Sequence, residues 1–109
     1  MIQKVDCHNH TDGQGNPSGG YVSAVGIDIA WQSGPLGRDE ERQEPNGAFV
    51  EGVIAAAIDR LRFYQTANFG KFACRQNALA ITKLEEALFW LNDRTREREA
   101  RKVEGTHEP

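Results

Sequence analysis

Two stretches of apolar residues at helical spacing, separated by a short break, constrain this chain more than any other feature of it. From Ala48 to about Thr66, Phe49, Val50, Val53, Ile54, Ala57, Ile58 and Leu61 recur at helical steps, which predicts a helix with a wide apolar face. Asp59, Arg60 and Arg62 fall on its flanks, and Pro45-Asn46-Gly47 forms a turn leading in, with Asn46 as the expected N-cap. Asn68, Gly70 and Lys71 then break the pattern. From about Arg75 to Val103, Ile81, Leu84, Leu88 and Leu91 repeat every three or four residues, while Lys83, Glu85 and Glu86 cover the outer face. Beyond Leu91 the run is polar as far as Lys102, with charges of both signs, as in an exposed or intersubunit helix end. Gly105 marks a stop. Two helices joined by so short a break predict an antiparallel hairpin.

The N-terminal part reads differently. Asp12-Gly13, Gly15-Asn16-Pro17, Gly19-Gly20 and Gly34-Pro35-Leu36-Gly37 are turn formers. Between them, Tyr21 to Gln32 alternates with period two, with Val25, Ile27, Ile29 and Trp31 on one face, which predicts a strand. A second strand is expected within Ile2 to His8 or in the polar run after Arg38. The expected fold class is α+β: a small N-terminal antiparallel β-sheet followed by a two-helix antiparallel hairpin, oligomeric. The expected organisation is one domain, with residues 1–45 as a β/loop region and 46–104 as the hairpin.

A chain of 109 residues with 39% hydrophobic composition has enough apolar surface for only a modest core, and assembly is one way to gain buried area. The net charge of −3 argues against a general DNA binder, which is usually basic, without excluding a local cationic pocket. Cys7 and Cys74 lie far apart in sequence and outside any CxxC pair, as expected of reduced thiols. No signal peptide or membrane-spanning run is legible, so a cytoplasmic location is expected.

Few constellations point to catalysis. Cys7-His8-Asn9-His10 would need a third or fourth ligand at suitable spacing to hold zinc, and Cys74 and His107 are isolated. The glycines of residues 13–20 fit neither a P-loop nor a dinucleotide fingerprint. Ser18, Ser23 and Ser33 have no nucleophile elbow, and Glu85-Glu86 point to different faces of a helix. No catalytic residue, metal site or cofactor is assigned. More informative is the loop from Trp31 to Phe49, where glycines permit close backbone approach beside Arg38, although a solvated surface turn would use the same residues. Arg94, Arg98 and Arg101 stack on one helical face and suit phosphate contacts, or surface salt bridges with Glu97 and Glu99. Phe63, Tyr64, Phe69 and Phe72 flank the interhelix break and could stack a nucleobase or pack a core.

Three blocks together carry a resemblance: Trp31-Gln32 with Gly34-Pro35-Leu36-Gly37-Arg38; Glu44-Pro45-Asn46-Gly47-Ala48-Phe49-Val50-Glu51; and Asn77 to Leu91 followed by arginines. The chain resembles the first family of phage Thoeris anti-defence proteins from about Gly20 to His107, and its final helix is similar to that of a related anti-CBASS sponge. The resemblance implies a non-enzymatic sponge that sequesters a TIR-produced cyclic ADP-ribose isomer, glycocyclic ADP-ribose, without cleaving it. Some family members also hold cyclic oligonucleotides, and cyclic di- or trinucleotides at a separate site are the corresponding expectation here. The resemblance further implies homo-oligomers, with dimers assembling into hexamers and pockets at subunit interfaces. Carried over, Phe63 stacks adenine, Asn77 lies close to the base, and Arg94 and Arg98 hold the pyrophosphate. Arg38 would do likewise or serve the second site, with Gln32 and the Gly37 backbone as further ligand contacts. Neither DNA nor a membrane is an expected partner. The alternatives are a small oligomeric interaction protein without a nucleotide ligand, a phosphodiesterase that degrades the signal, and a DNA-binding regulator.

Overall fold

A computed structural model describes residues 4–109 of the chain, as two compact units. The first comprises the chain up to Phe49 together with Arg101–Pro109; the second is Val50–Ala100.

The first unit holds three strands, β1 (Asp6–Thr11), β2 (Pro17–Ala24) and β3 (Ile27–Trp31), in the order β1-β2-β3 and antiparallel throughout. The run from Tyr21 to Gln32 is therefore two strands and not one. It folds back at Val25-Gly26, where Gly26 at φ +76° supplies the positive φ that a tight turn requires. Val25, expected on the apolar face, sits on that turn and is 89% exposed. In the paired region, Val22 faces Ile29 and Ala24 faces Ile27, giving one half-buried apolar face. The other face carries Tyr21, which pairs with His8 across the ladder and stacks on its ring at 4.5 Å. Of the range Ile2–His8, where a strand is expected, Ile2 and Gln3 lie outside the described residues, and Asp6–His8 belong to β1. After Arg38 the chain forms a 3-10 turn, Asp39–Glu41, and not a strand.

Asp12 closes the β1–β2 connection. Its carboxylate accepts the backbone N–H groups of Gln14 (2.9 Å) and Asn16 (3.0 Å). These bonds, Asn16 first, hold its pKa below the ordinary 3.8. The charged form is favoured by folding, so its contribution is complete above the unfolded-state value and is lost as pH falls through the folded one. An NMR titration should find the Asp12 carboxyl titrating below 3.8; a midpoint at or above that value would refute the assignment of this turn.

The loop after β3 returns to it. Ala48 forms a short parallel bridge with Trp31, its N–H donating to Ala30 O (2.7 Å) while Gln32 N donates to Ala48 O (2.9 Å). Asn46, expected as a helix cap, is used differently: its side chain accepts from Ser33 N (2.8 Å) and donates to Ser33 O (3.0 Å). The helix accordingly begins later, at Val50. The C-terminal residues join this unit through Gly37 N to Gly105 O (2.8 Å) and an Arg42–Glu104 ion pair (2.7 Å).

The second unit is the expected antiparallel hairpin of α1 (Val50–Gly70) and α2 (Arg75–Ala100). Half-buried and buried positions alternate at three- and four-residue steps: Ile54, Ile58, Leu61 and Gln65 on α1, and Asn77, Ile81, Leu84, Leu88, Leu91, Thr95 and Arg98 on α2. This is the seam of a heptad-packed pair. Three cross-links fix its register: Gln65 with the Cys74 backbone (3.0 and 3.1 Å), Arg62–Glu85 (3.0 Å) and Glu51–Arg94 (3.5 Å). The break lies where expected. Ala67 leaves helical geometry, and Asn68, Phe69 and Gly70 all take positive φ.

Candidate ligand-binding site

The hairpin spreads its expected ligand residues over its full length. Phe63 lies on α1 and is 52% exposed, so it is not core; its ring is 6.1 Å from that of Tyr64. Asn77 is half-buried in the first turn of α2, where its N–H donates to Cys74 Sγ at 3.4 Å. Arg94 sits near the other end of α2, exposed and paired with Glu51 at 3.5 Å. Arg98, one turn further, is half-buried at the end of the seam. Arg94 is anchored beside Glu51, which places Phe63 about 18 Å away along α1 at 1.5 Å per residue, and Asn77 lies about 25 Å from Arg94 along α2. The hairpin does bring Arg94 and Arg98 to one end, but keeps both away from Phe63 and Asn77.

The Arg94–Glu51 pair bears on any phosphate contact. An exposed ion pair contributes at most about 1 kcal/mol, so Glu51 can be displaced, but its carboxylate opposes an anion beside Arg94.

The loop candidates belong to the first unit. Gln32 donates to Ser33 O (3.4 Å) and Gly34 O (3.1 Å) and accepts from Asn46 N (2.8 Å). Gly37, at φ +84°, gives its N–H to Gly105 O and accepts Arg42 Nη1 at 3.2 Å. Both shape the loop. Arg38 stands exposed at the start of the 3-10 turn.

Between the helices runs a groove of about 300 Å³ bordered by Ala55, Ile58 and Arg62 of α1 and Glu85, Leu88 and Phe89 of α2. It includes none of the residues assigned from the sequence. Arg60, treated above as a flank, lies over the rings of Phe63 and Tyr64 at 5.1 and 4.9 Å. The i, i+3, i+4 spacing of these three residues was its sequence signal.

Cys7 and Cys74 are exposed free thiols. His8 bonds Asp6 at 3.1 Å, and among the described residues no three His, Cys, Asp or Glu side chains come together as a metal-binding group. No described helix is long and apolar enough to cross a membrane.

A family model for the hairpin domain of Acb2/Tad1 matches residues 23–96. The chain belongs to the Acb2/Tad1 hairpin family. Its similarity extends to "Thoeris anti-defense 1" of Bacillus phage SBSphiJ7, with 60% identity over 80 residues, 73% of this chain and 51% of the relative. The chain thus spans about half the length of that curated relative. The Acb2/Tad1 match takes in β3, the loop, α1 and most of α2, including Gln32, Gly37, Arg38, Phe63, Asn77 and Arg94; Arg98 falls just past it, and β1 with most of β2 precedes it.

Proposed function

We propose that this protein is a phage anti-defence sponge that binds glycocyclic ADP-ribose, the cyclic ADP-ribose isomer made by TIR enzymes, and holds it intact against Thoeris immunity. Its membership of the Acb2/Tad1 family and its likeness to a Thoeris anti-defence protein support the class of function. The observation that carries the mechanism is the separation of the two halves of the binding set. Phe63 and Asn77 on one side and Arg94 and Arg98 on the other lie too far apart for one small ligand in a single hairpin. A second copy brings the arginines of one chain to the aromatic end of its partner.

Exposure supports this assembly. Among the described residues only Ile58 is buried, whereas Phe63, Phe72, Phe89 and Trp90 are more than half exposed. Assembly into dimers, and of dimers into hexamers, covers such a surface. Nanomolar sequestration needs about 12 kcal/mol, against about 1.5–3 for a charge-assisted contact and about 1–3 for a stacked base. Several contacts must therefore converge in a site that excludes water. Arg38 and its glycine loop offer a separate place for cyclic di- or trinucleotides, the signals of CBASS. The protein acts in the cytoplasm of the infected host, without a cofactor.

The test is to incubate the purified protein with glycocyclic ADP-ribose, filter, and chromatograph the filtrate before and after heating. Ligand that disappears and returns unchanged establishes sequestration. Ligand lost for good means degradation, and ligand that stays free moves the plain interaction protein to the front. In the same assay Phe63→Ala should weaken binding about ten- to a hundredfold, Phe63→Tyr should be tolerated, and Arg94→Ala or Arg98→Ala should each cost at least tenfold. Unchanged affinity in both arginine variants would remove them from the site.

A further inference from the structure

Arg60 is held by aromatic rings and not by a carboxylate. Its guanidinium carbon lies 5.1 Å from the centroid of Phe63 and 4.9 Å from that of Tyr64, and its Nε donates to the Tyr64 hydroxyl at 3.3 Å. Three arginines of the same hairpin, Arg62, Arg94 and Arg96, instead pair with Glu85, Glu51 and Asp93 at 3.0, 3.5 and 3.9 Å. The difference matters electrostatically. A carboxylate partner neutralises a guanidinium, whereas a ring attracts it through its quadrupole and leaves the full positive charge. The rings and the Nε bond also fix the plane of the group. Its two Nη nitrogens retain donors that, among the described residues, meet no protein acceptor, in a geometry suited to a phosphate.

We propose that Arg60 is a phosphate-contacting residue for a nucleotide stacked on Phe63, supplied by the same helix as the stacking ring. This rests on the reading that Phe63 stacks a base. The guanidinium covers one face of the Phe63 ring, and a base takes the other. The phosphate of a stacked nucleoside lies one ribose away from the base, within reach of Arg60, whereas Arg94 lies about 18 Å from Phe63 along the hairpin. A pyrophosphate in a two-copy site is then gripped from both sides: by Arg60 beside its base, and by Arg94 and Arg98 of the other copy. The ligand class this selects is a phosphorylated purine nucleoside over an uncharged one.

Two measurements on the full chain test it. In ¹H–¹⁵N spectra of the arginine Nε–H groups, inorganic pyrophosphate should shift the Arg60 resonance, identified by its loss in Arg60→Gln. Arg60→Gln should also weaken glycocyclic ADP-ribose at least tenfold while leaving adenosine binding unchanged, with Arg60→Lys intermediate and helix content by circular dichroism the same in all three. Wild-type affinity for glycocyclic ADP-ribose in Arg60→Gln overturns the proposal and leaves the sponge reading standing. A pyrophosphate-shifted Arg60 in a protein that does not bind glycocyclic ADP-ribose does the reverse, keeping the anion contact and removing the sponge. If neither ligand has any effect, both fall.

Discussion

Ile58→Ala should cost the hairpin about 2–5 kcal/mol, comparable with the whole stability of a domain this small. Ile58 is 4% exposed and, among the described residues, the one buried apolar side chain. It lies in the middle of the seam, so truncation opens a void between the two helices. Urea titration followed by the helical circular dichroism signal measures the loss, with Val25→Ser as a control expected to stay within about 0.5 kcal/mol because Val25 is 89% exposed. If copies cover one another's apolar faces, the midpoint should also rise with protein concentration. A cost below about 1 kcal/mol for Ile58→Ala would mean that this seam is not where the hairpin gains its stability.

Gly20→Ala should release β1 from the sheet. Gly20 has φ +144°, and a Cβ there would stand 2.1 Å from the backbone oxygen of His8 on the paired strand. Strain and clash act together, at a combined cost of the order of 3 kcal/mol, and the neighbouring atom is backbone that cannot turn aside. Hydrogen exchange should show protection lost at the ladder amides of Asp6–Thr11 and kept in the hairpin. Gly13→Ala, with nothing within 4 Å of the added atom, should leave both intact. Protection of β1 surviving in Gly20→Ala would contradict the described pairing.

How far the chain could be read in advance varied with the range of the forces involved. Ile81, Leu84, Leu88 and Leu91 announced the α2 seam because helix periodicity is local and repeats. The interhelix break was legible for the same reason. Periodicity alone merges β2 and β3 into one strand over Tyr21 to Gln32, because the two-residue turn at Val25-Gly26 sits inside alternation that continues on both sides of it. Asn46 has the sequence context of a cap, but its side chain satisfies the Ser33 backbone, thirteen residues away in sequence. Among the ligand residues, the spacing of Arg94 and Arg98 was readable. The pairing of Arg94 with Glu51 and the distance of both arginines from Phe63 were not, since these depend on how α2 runs back along α1.

The sequence by itself determined the α+β order, the helical hairpin, its seam and its family, because these follow from apolar spacing, turn residues and short motifs. Only the tertiary structure decided that Gln32 and Gly37 hold their own loop, and that the residues proposed to bind the ligand fall at two ends of one hairpin. Which donor meets which acceptor across the loop and between the helices is set by the register between segments distant in sequence, and no local pattern encodes that register.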